Sequence, residues 1–261
     1  MEAMRFIDLG LISFQEGLRQ QEKALRQTLH RGQPETVYLL EHPHIFTMGR
    51  AGKSENVLSR EDPTGKPIEL VQTNRGGDVT YHGPGQLVGY PHLDLRQRGR
   101  DVHRFLRDLE KSLIQTVAHF GVAAFVKPGL TGVWTGRGKL ASIGINVSRW
   151  ITKHGFALNV NTDLSYFKLI HPCGILNCPV TSLSELLGGP VDLDEVKRVF
   201  QCSFEEVFEG EFWGQAQEFS EFGACPQILP VRAAHLNRFR ECRSPELKGE
   251  KASFQVRLAT G

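Results

Sequence analysis

The strongest periodic signal in the chain is helical. Apolar residues fall at Val102, Phe105, Leu106, Leu109, Leu113, Val117 and Phe120, the spacing that lines one face of a 3.6-residue repeat. Asp101 stands where an N-cap belongs and Gly121 where a left-handed stop belongs, so a helix is expected between them. A second helix is expected over roughly 13–31. Ser13 and Glu16 have capping-box spacing, Leu18, Ala24, Leu25 and Leu29 supply the stripe, and Gly32-Gln33-Pro34 closes it. Thr181–Leu187 reads as a short helix, and Asp192 with Glu195 caps another that runs to about Phe208.

Between the helices the period drops towards two. Phe6–Gly10, Val37–Leu40, Leu70–Gln72 and Leu87–Tyr90 read as strands, as do Ala123–Val126, Val133–Thr135, Leu140–Val147 and Gly155–Val160. A loop rich in His, Pro and Gly is expected from Leu40 to about residue 56. Strands and helices do not alternate regularly. The expectation is therefore an α+β fold, a mixed β-sheet layered with helices, rather than a doubly wound sheet. Beyond about residue 208 the periodicity is lost amid Phe212-Trp213, Pro226, Pro230 and a mixed-charge end. Residues 1–208 are read as one domain and 209–261 as a C-terminal extension.

Composition narrows the class. With 261 residues, 40% hydrophobic and 23% charged, the chain can bury a full core in one domain. Thirty-one basic against 29 acidic residues leave a net charge of +2, which argues for neither a nucleic-acid nor a membrane partner. No uncharged apolar run approaches the roughly 18 residues of a membrane span. The opening Met1-Glu2-Ala3-Met4-Arg5-Phe6 does not read as a leader. Five cysteines, all in the second half, are an odd number and too sparse for a disulfide framework. A cytoplasmic protein with free thiols is expected.

Two places carry candidate chemistry. The stretch Arg75-Gly76-Gly77-Asp78-Val79-Thr80-Tyr81-His82-Gly83-Pro84-Gly85-Gln86 has four glycines in twelve residues, so backbone can approach a ligand closely. Val79 and Tyr81 are read as an apolar wall, with Arg75 and His82 as donors. It lacks both the P-loop ending and the dinucleotide spacing; the alternative is a β-hairpin with tight turns. The second place is Cys173, set between Pro172 and Gly174 in an expected loop, whereas Cys202 in its helix reads as a small inert hydrophobe. A thiol beside an ammonium favours the thiolate, which can attack a thioester and hold an acyl group. Lys139, opening an apolar strand, is on spacing alone more naturally a solvated strand-end charge. His42, His44, His82 and His92 suggest a metal by count, but Cys173 and Cys178 are too far apart for a CxxC pair, and no second Cys pair or HExxH arrangement accompanies them.

The run Arg75 to Pro91, with Gly138-Lys139-Leu140-Ala141-Ser142-Ile143-Gly144 and His171-Pro172-Cys173-Gly174, resembles the ordered motifs of lipoyl(octanoyl) transferases over about residues 5–208. The resemblance implies a biotin/lipoate protein ligase-like fold without ATP chemistry. It implies octanoyl transfer from octanoyl-acyl carrier protein to a lysine of lipoyl domains, those of 2-oxoacid dehydrogenase E2 subunits and the glycine cleavage H protein. Cys173 would carry the acyl thioester, and Lys139 would activate it, reversing the reading from spacing. Arg75, Gly76, Gly77, Asp78, Val79, Thr80, Tyr81 and His82 would line the acyl pocket, with Ser142, Ile143, Gly144, Gly155, Phe156 and Ala157. No cofactor or metal, and a monomer, are expected. An ATP-dependent lipoate or biotin ligase and a non-catalytic acyl- or lipoyl-domain-binding module stand as alternatives. Arg137, Arg149 and Lys153 are candidate contacts for an acidic carrier protein.

Overall fold

The computed structural model describes residues 4–29, 34–62 and 64–209. A seven-stranded mixed sheet is formed by β1 (Arg5–Leu11), β2 (Thr36–Glu41), β6 (Gln86–His92), β7 (Phe125–Lys127), β8 (Leu130–Thr135), β9 (Gly138–Ser148) and β10 (Ile151–Asn159). Its order is β1-β2-β6-β10-β9-β8-β7, with β1–β2 parallel and the other pairs antiparallel. A second sheet has the order β4-β3-β5, from β3 (Ile45–Met48), β4 (Glu69–Gln72) and β5 (Val79–His82). Helices are α1 (Phe14–Leu29), α2 (Val102–His119), α3 (Leu183–Leu187) and α4 (Leu193–Glu209).

Alternation along the central strands sorts the larger sheet into two cores. Val37, Leu39, Leu87 and Leu158 enter one, with the stripes of α2 and α4; Tyr38, Leu40, Val88, Tyr90 and Ala157 enter the other, with Ala24 of α1. Helices therefore lie on both faces. On α4, Phe200, Phe204 and Phe208 recur every fourth residue; the Phe200 and Phe204 rings meet tilted at 5.4 Å between centroids, and those of Phe204 and Phe208 stack at 4.1 Å. Phe200 reaches Phe156 of the sheet at 4.6 Å and Phe204 meets Phe6 at 5.9 Å. The expected caps are formed: the Asp101 side chain accepts from Arg104 N at 2.9 Å, that of Ser13 accepts from Glu16 N at 3.2 Å, and Gly121 has φ +76°.

Two local expectations change, and the alternative for the glycine-rich stretch falls away. The loop expected up to residue 56 contains β3, the centre of the small sheet; four residues between His44 and Gly49 are too short a run to show a period. The glycine-rich stretch is not a hairpin. Its β5 pairs with β3, while β6, three residues later, pairs with β2 and β10, so Gly83-Pro84-Gly85 carries the chain from one sheet to the other. The free-thiol expectation holds for Cys173 and Cys178 but not for Cys202, which is disulfide-bonded. The extension expected from residue 209 lies, apart from Glu209 itself, outside the described residues. Among the described residues no helix is long and apolar enough to cross a membrane.

Candidate active site

Cys173 sits in a short 3-10 turn, Pro172–Gly174, with φ 58° and ψ 22°, a left-handed conformation that side chains rarely adopt. Neighbouring bonds hold the turn there. His171 N donates to Asn56 O at 2.8 Å, Gly174 N to His171 O at 2.9 Å and Ile175 N to Pro172 O at 3.1 Å. Asp78 braces it from the glycine-rich stretch. Its carboxylate accepts from Asn56 Nδ2 at 2.6 Å and from Val79 N at 2.6 Å, and a Cβ on Gly174 would stand only 2.8 Å from Asp78 Oδ2. Asp78 thus fixes the shape of the cysteine turn as well as facing the cavity.

Lys139 opens β9. Its backbone is clamped by the segment that follows the cysteine turn: Lys139 N donates to Pro179 O at 2.8 Å, and Thr181 N donates to Lys139 O at 3.0 Å. The side chain is 3% exposed, so the solvated strand-end reading does not hold. Its Nζ donates to Cys173 Sγ at 3.0 Å and lies 5.3 Å from the centre of the Trp134 ring. The other free thiol, Cys178, has its pKa raised by burial, which keeps it protonated.

Beside the pair lies a cavity of about 490 Å³, counting its open mouth. Of the expected lining, Arg75, Gly77, Asp78, Thr80, His82, Ser142, Ile143, Gly144, Gly155, Phe156 and Ala157 border it together with Cys173. The two triplets meet across adjacent strands: Ser142 faces Ala157, Ile143 faces Phe156, and Gly144 faces Gly155. Val79 and Tyr81 do not border it. On a strand, alternate side chains face opposite ways, so Thr80 and His82 reach the cavity while Val79 and Tyr81 enter the core with Phe46 and Tyr166. Gly76 is absent from the lining too, its N–H bonded to Ile145 O at 2.7 Å. Phe14, Tyr90 and His154 were not foreseen. The alternation Val88, Tyr90 could have flagged Tyr90; nothing in the local sequence marked the other two.

Arg75 is buried without an acidic partner among the described salt bridges. Its Nη2 donates to Thr47 O at 2.6 Å and to Thr47 Oγ1 at 3.0 Å, and its Nε has no partner. From Thr47 a hydrogen-bond chain crosses the site. His82 Nε2 lies 3.2 Å from Thr47 Oγ1, and His82 Nδ1 lies 2.8 Å from Gln86 Oε1. Gln86 Nε2 donates to Asn159 Oδ1 at 3.0 Å, and Asn159 Nδ2 donates to Thr181 O at 3.0 Å. Burial lowers the pKa of His42 to about 4, and of the cavity-lining His82 and His154 to about 3, so these buried histidines are neutral. His42 bonds Ile12 O at 2.8 Å and Tyr90 OH at 2.7 Å. These rings serve hydrogen bonding and packing. Among the described residues no three His, Cys, Asp or Glu side chains are grouped to hold a metal ion.

The basic residues grouped near the site in sequence are apart in space. Lys153 is buried and ion-paired with Glu22 of α1. Arg149 follows the far end of β9, ten residues beyond Lys139, a separation of about 30 Å along an extended strand. Arg137 is exposed beside Lys139, its Nη1 donating to Glu185 O at 3.2 Å.

The family model described as "Lipoyl protein ligase A/B catalytic domain" matches residues 13–205. A protein named octanoyltransferase from Geobacter metallireducens is 56% identical over 195 residues, covering 75% of this chain and 89% of its own. Another octanoyltransferase, from Geotalea uraniireducens, is 54% identical over 202 residues, covering 77% and 92%. Among solved structures, a bipartite lipoate protein ligase from Thermoplasma acidophilum superposes with a TM-score of 0.63 at 17% identity, covering 80% of this chain and 84% of that one. A lipoate-protein ligase A bound with ATP gives a TM-score of 0.60 at 17% identity, covering 80% and 86%; these two likenesses concern the fold alone. On the match across most of its length and the identity to its relatives, this chain belongs to the lipoyl protein ligase A/B catalytic-domain family.

Proposed function

We propose that the protein takes an octanoyl group from acyl carrier protein onto Cys173 and passes it to a lysine of a lipoyl domain, in lipoate synthesis. The observation that carries this reading is the 3.0 Å contact between Lys139 Nζ and Cys173 Sγ at the edge of the cavity. It fits the octanoyltransferase name of relatives at 56% and 54% identity. The Cys173 thiolate attacks the carrier thioester carbonyl, and the carrier sulfur leaves with a proton from Lys139. The carrier thiol, the acyl-Cys173 thioester and a neutral Lys139 amine result. The acceptor amine then attacks that thioester; its proton passes to Lys139 and the Cys173 thiolate departs, restoring the starting pair. Arg75 adds a second positive field at Cys173 and favours the anionic states along this path. Acceptors are the lipoyl domains of 2-oxoacid dehydrogenase E2 subunits and glycine cleavage H protein. The setting is cytoplasmic, with the enzyme working as a monomer without cofactor.

The test is incubation with octanoyl-acyl carrier protein followed by mass spectrometry. One octanoyl adduct on the Cys173 peptide, lost in Cys173→Ala and discharged by a lipoyl domain, is the expected result. Octanoylation that needs ATP, or that survives Cys173→Ala, overturns the reading.

A further inference from the structure

The proposed mechanism leaves a wholly buried carboxylate unused. Glu110 lies in the middle of α2 and is wholly buried between the core leucines 109 and 113. Its Oε1 accepts from Gly132 N at 2.9 Å, and its Oε2 lies 2.7 Å from Nη1 of Arg107, whose side chain is 53% exposed. Gly132 is the residue against which Lys139 rests. A Cβ there would stand 2.8 Å from Lys139 Cε and 3.4 Å from Nζ, so one glycine separates the carboxylate from the ammonium. Burying an anion opposes folding, and a neutral amide has the oxygen needed to accept from Gly132 N. Packing therefore accounts for the shape of Glu110 but not for its charge.

We propose that Glu110 is a positioning residue whose negative charge strengthens the hold of Lys139 on its proton, helping it recapture the acceptor's proton, and so sets the pH window of the Cys173–Lys139 pair. This rests on acyl transfer through Cys173 as proposed above. When Cys173 is acylated its negative charge disappears, and Lys139 loses the counter-charge 3.0 Å away. Glu110 remains. The other groups facing the pair are of different kinds. Arg75, Lys127 on the Trp134 ring at 5.1 Å, and Arg107 are cations, and Cys178 is a thiol kept protonated by burial. Asp78 stands on the cysteine side, its charge taken up by Asn56, Lys53 N and Val79 N. Glu110 is the carboxylate on the lysine side: burial raises its pKa, while Gly132 N, Arg107 and, through space, Lys139 favour its ionised form.

The sign of the effect separates charge from propping. Both deprotonations of the pair, thiol to thiolate and ammonium to amine, add negative charge, and a nearby anion opposes both. Removing that anion moves both limbs of the pH profile to lower pH. If Glu110 merely supported Gly132, its loss would loosen the ion pair and move the acid limb to higher pH instead.

The experiment measures iodoacetamide alkylation of Cys173, resolved by peptide mass spectrometry, alongside the pH profile of octanoyl transfer, in the full chain. Glu110→Gln is expected to lower both limbs by on the order of half to one pH unit, the scale of one partly neutralised charge several ångströms away. Glu110→Asp moves them back towards wild type. Arg107→Ala, a change at a half-exposed side chain, unmasks the carboxylate and raises both limbs. An acid limb that rises in Glu110→Gln, or stays put in both Glu110→Gln and Arg107→Ala, overturns the proposal. If Glu110→Gln does not fold, Arg107→Ala decides: an upward shift supports the proposal and no shift overturns it. Alkylation needs no acyl donor, so failure of the octanoyl-transfer reading would appear separately, as a missing Cys173 adduct.

Discussion

Four histidines make a quantitative case for acid lability. His42, His82, His92 and His154 are all buried, and burial lowers their pKa from 6.5 to about 4 for His42 and about 3 for the other three. A histidine depressed in this way is neutral in both states above pH 6.5, where it costs nothing. As pH falls below 6.5 the unfolded chain gains protons that the folded one refuses, and stability is lost until the folded pKa is reached. At about pH 5.5 each ring removes roughly 1 kcal/mol and the four together a few kcal/mol, an upper bound that ignores local relaxation and the coupling between neighbouring rings. That is a large part of the roughly 5–15 kcal/mol available to a domain. Urea unfolding at a series of pH values, followed by circular dichroism, measures the slope. His92 is the informative variant because it does not border the cavity: its Nδ1 bonds Thr152 O at 3.1 Å, and its Nε2 is buried without a partner. His92→Gln should flatten the low-pH slope by up to about 1.4 kcal/mol per pH unit, one proton's worth. A stability that stays level from neutrality down to about pH 5.5, or a His92→Gln slope equal to wild type, would refute the argument.

Two substitutions test the site and its scaffold. Lys139→Met removes the cation 3.0 Å from Cys173 Sγ and should slow alkylation of Cys173 at neutral pH by about tenfold or more, since an unaided thiol is only a few per cent thiolate there; an unchanged alkylation rate would mean that the lysine does not activate the sulfur. Gly155→Ala places a Cβ 2.1 Å from Gly89 O and 2.7 Å from Pro91 Cδ, so it should destabilise the fold by about 1–3 kcal/mol in urea unfolding; wild-type stability would show that β6 and β10 part more easily than their packing suggests.

Local order in the chain was largely legible. The stripe from Val102 to Phe120 with its Asp101 and Gly121 ends is α2 to within a residue, because capping and 3.6-residue periodicity act within a few residues of one another. The order of motifs around Arg75, Lys139 and Cys173 pointed to a family that the comparisons show. What sequence could not convey was direction and distance across the chain. Whether Lys139 is a solvated strand end or a buried ammonium depends on residues 179–181 folding back beside it and on a cysteine 34 positions away. Period two in β5 sends Val79 and Tyr81 into the core and Thr80 and His82 to the cavity, but only the identity of the neighbouring sheets says which face is which. Ten residues of extended strand put Arg149 far from the Lys139 it neighbours in motif order. Glu110, an unremarkable member of an amphipathic helix, comes to lie beside the lysine because α2 packs over β8 and β9. Propensity and capping are short-range and can be read along the chain; charge pairing, burial and the facing of strands depend on long-range contacts and are decided only when the layers close.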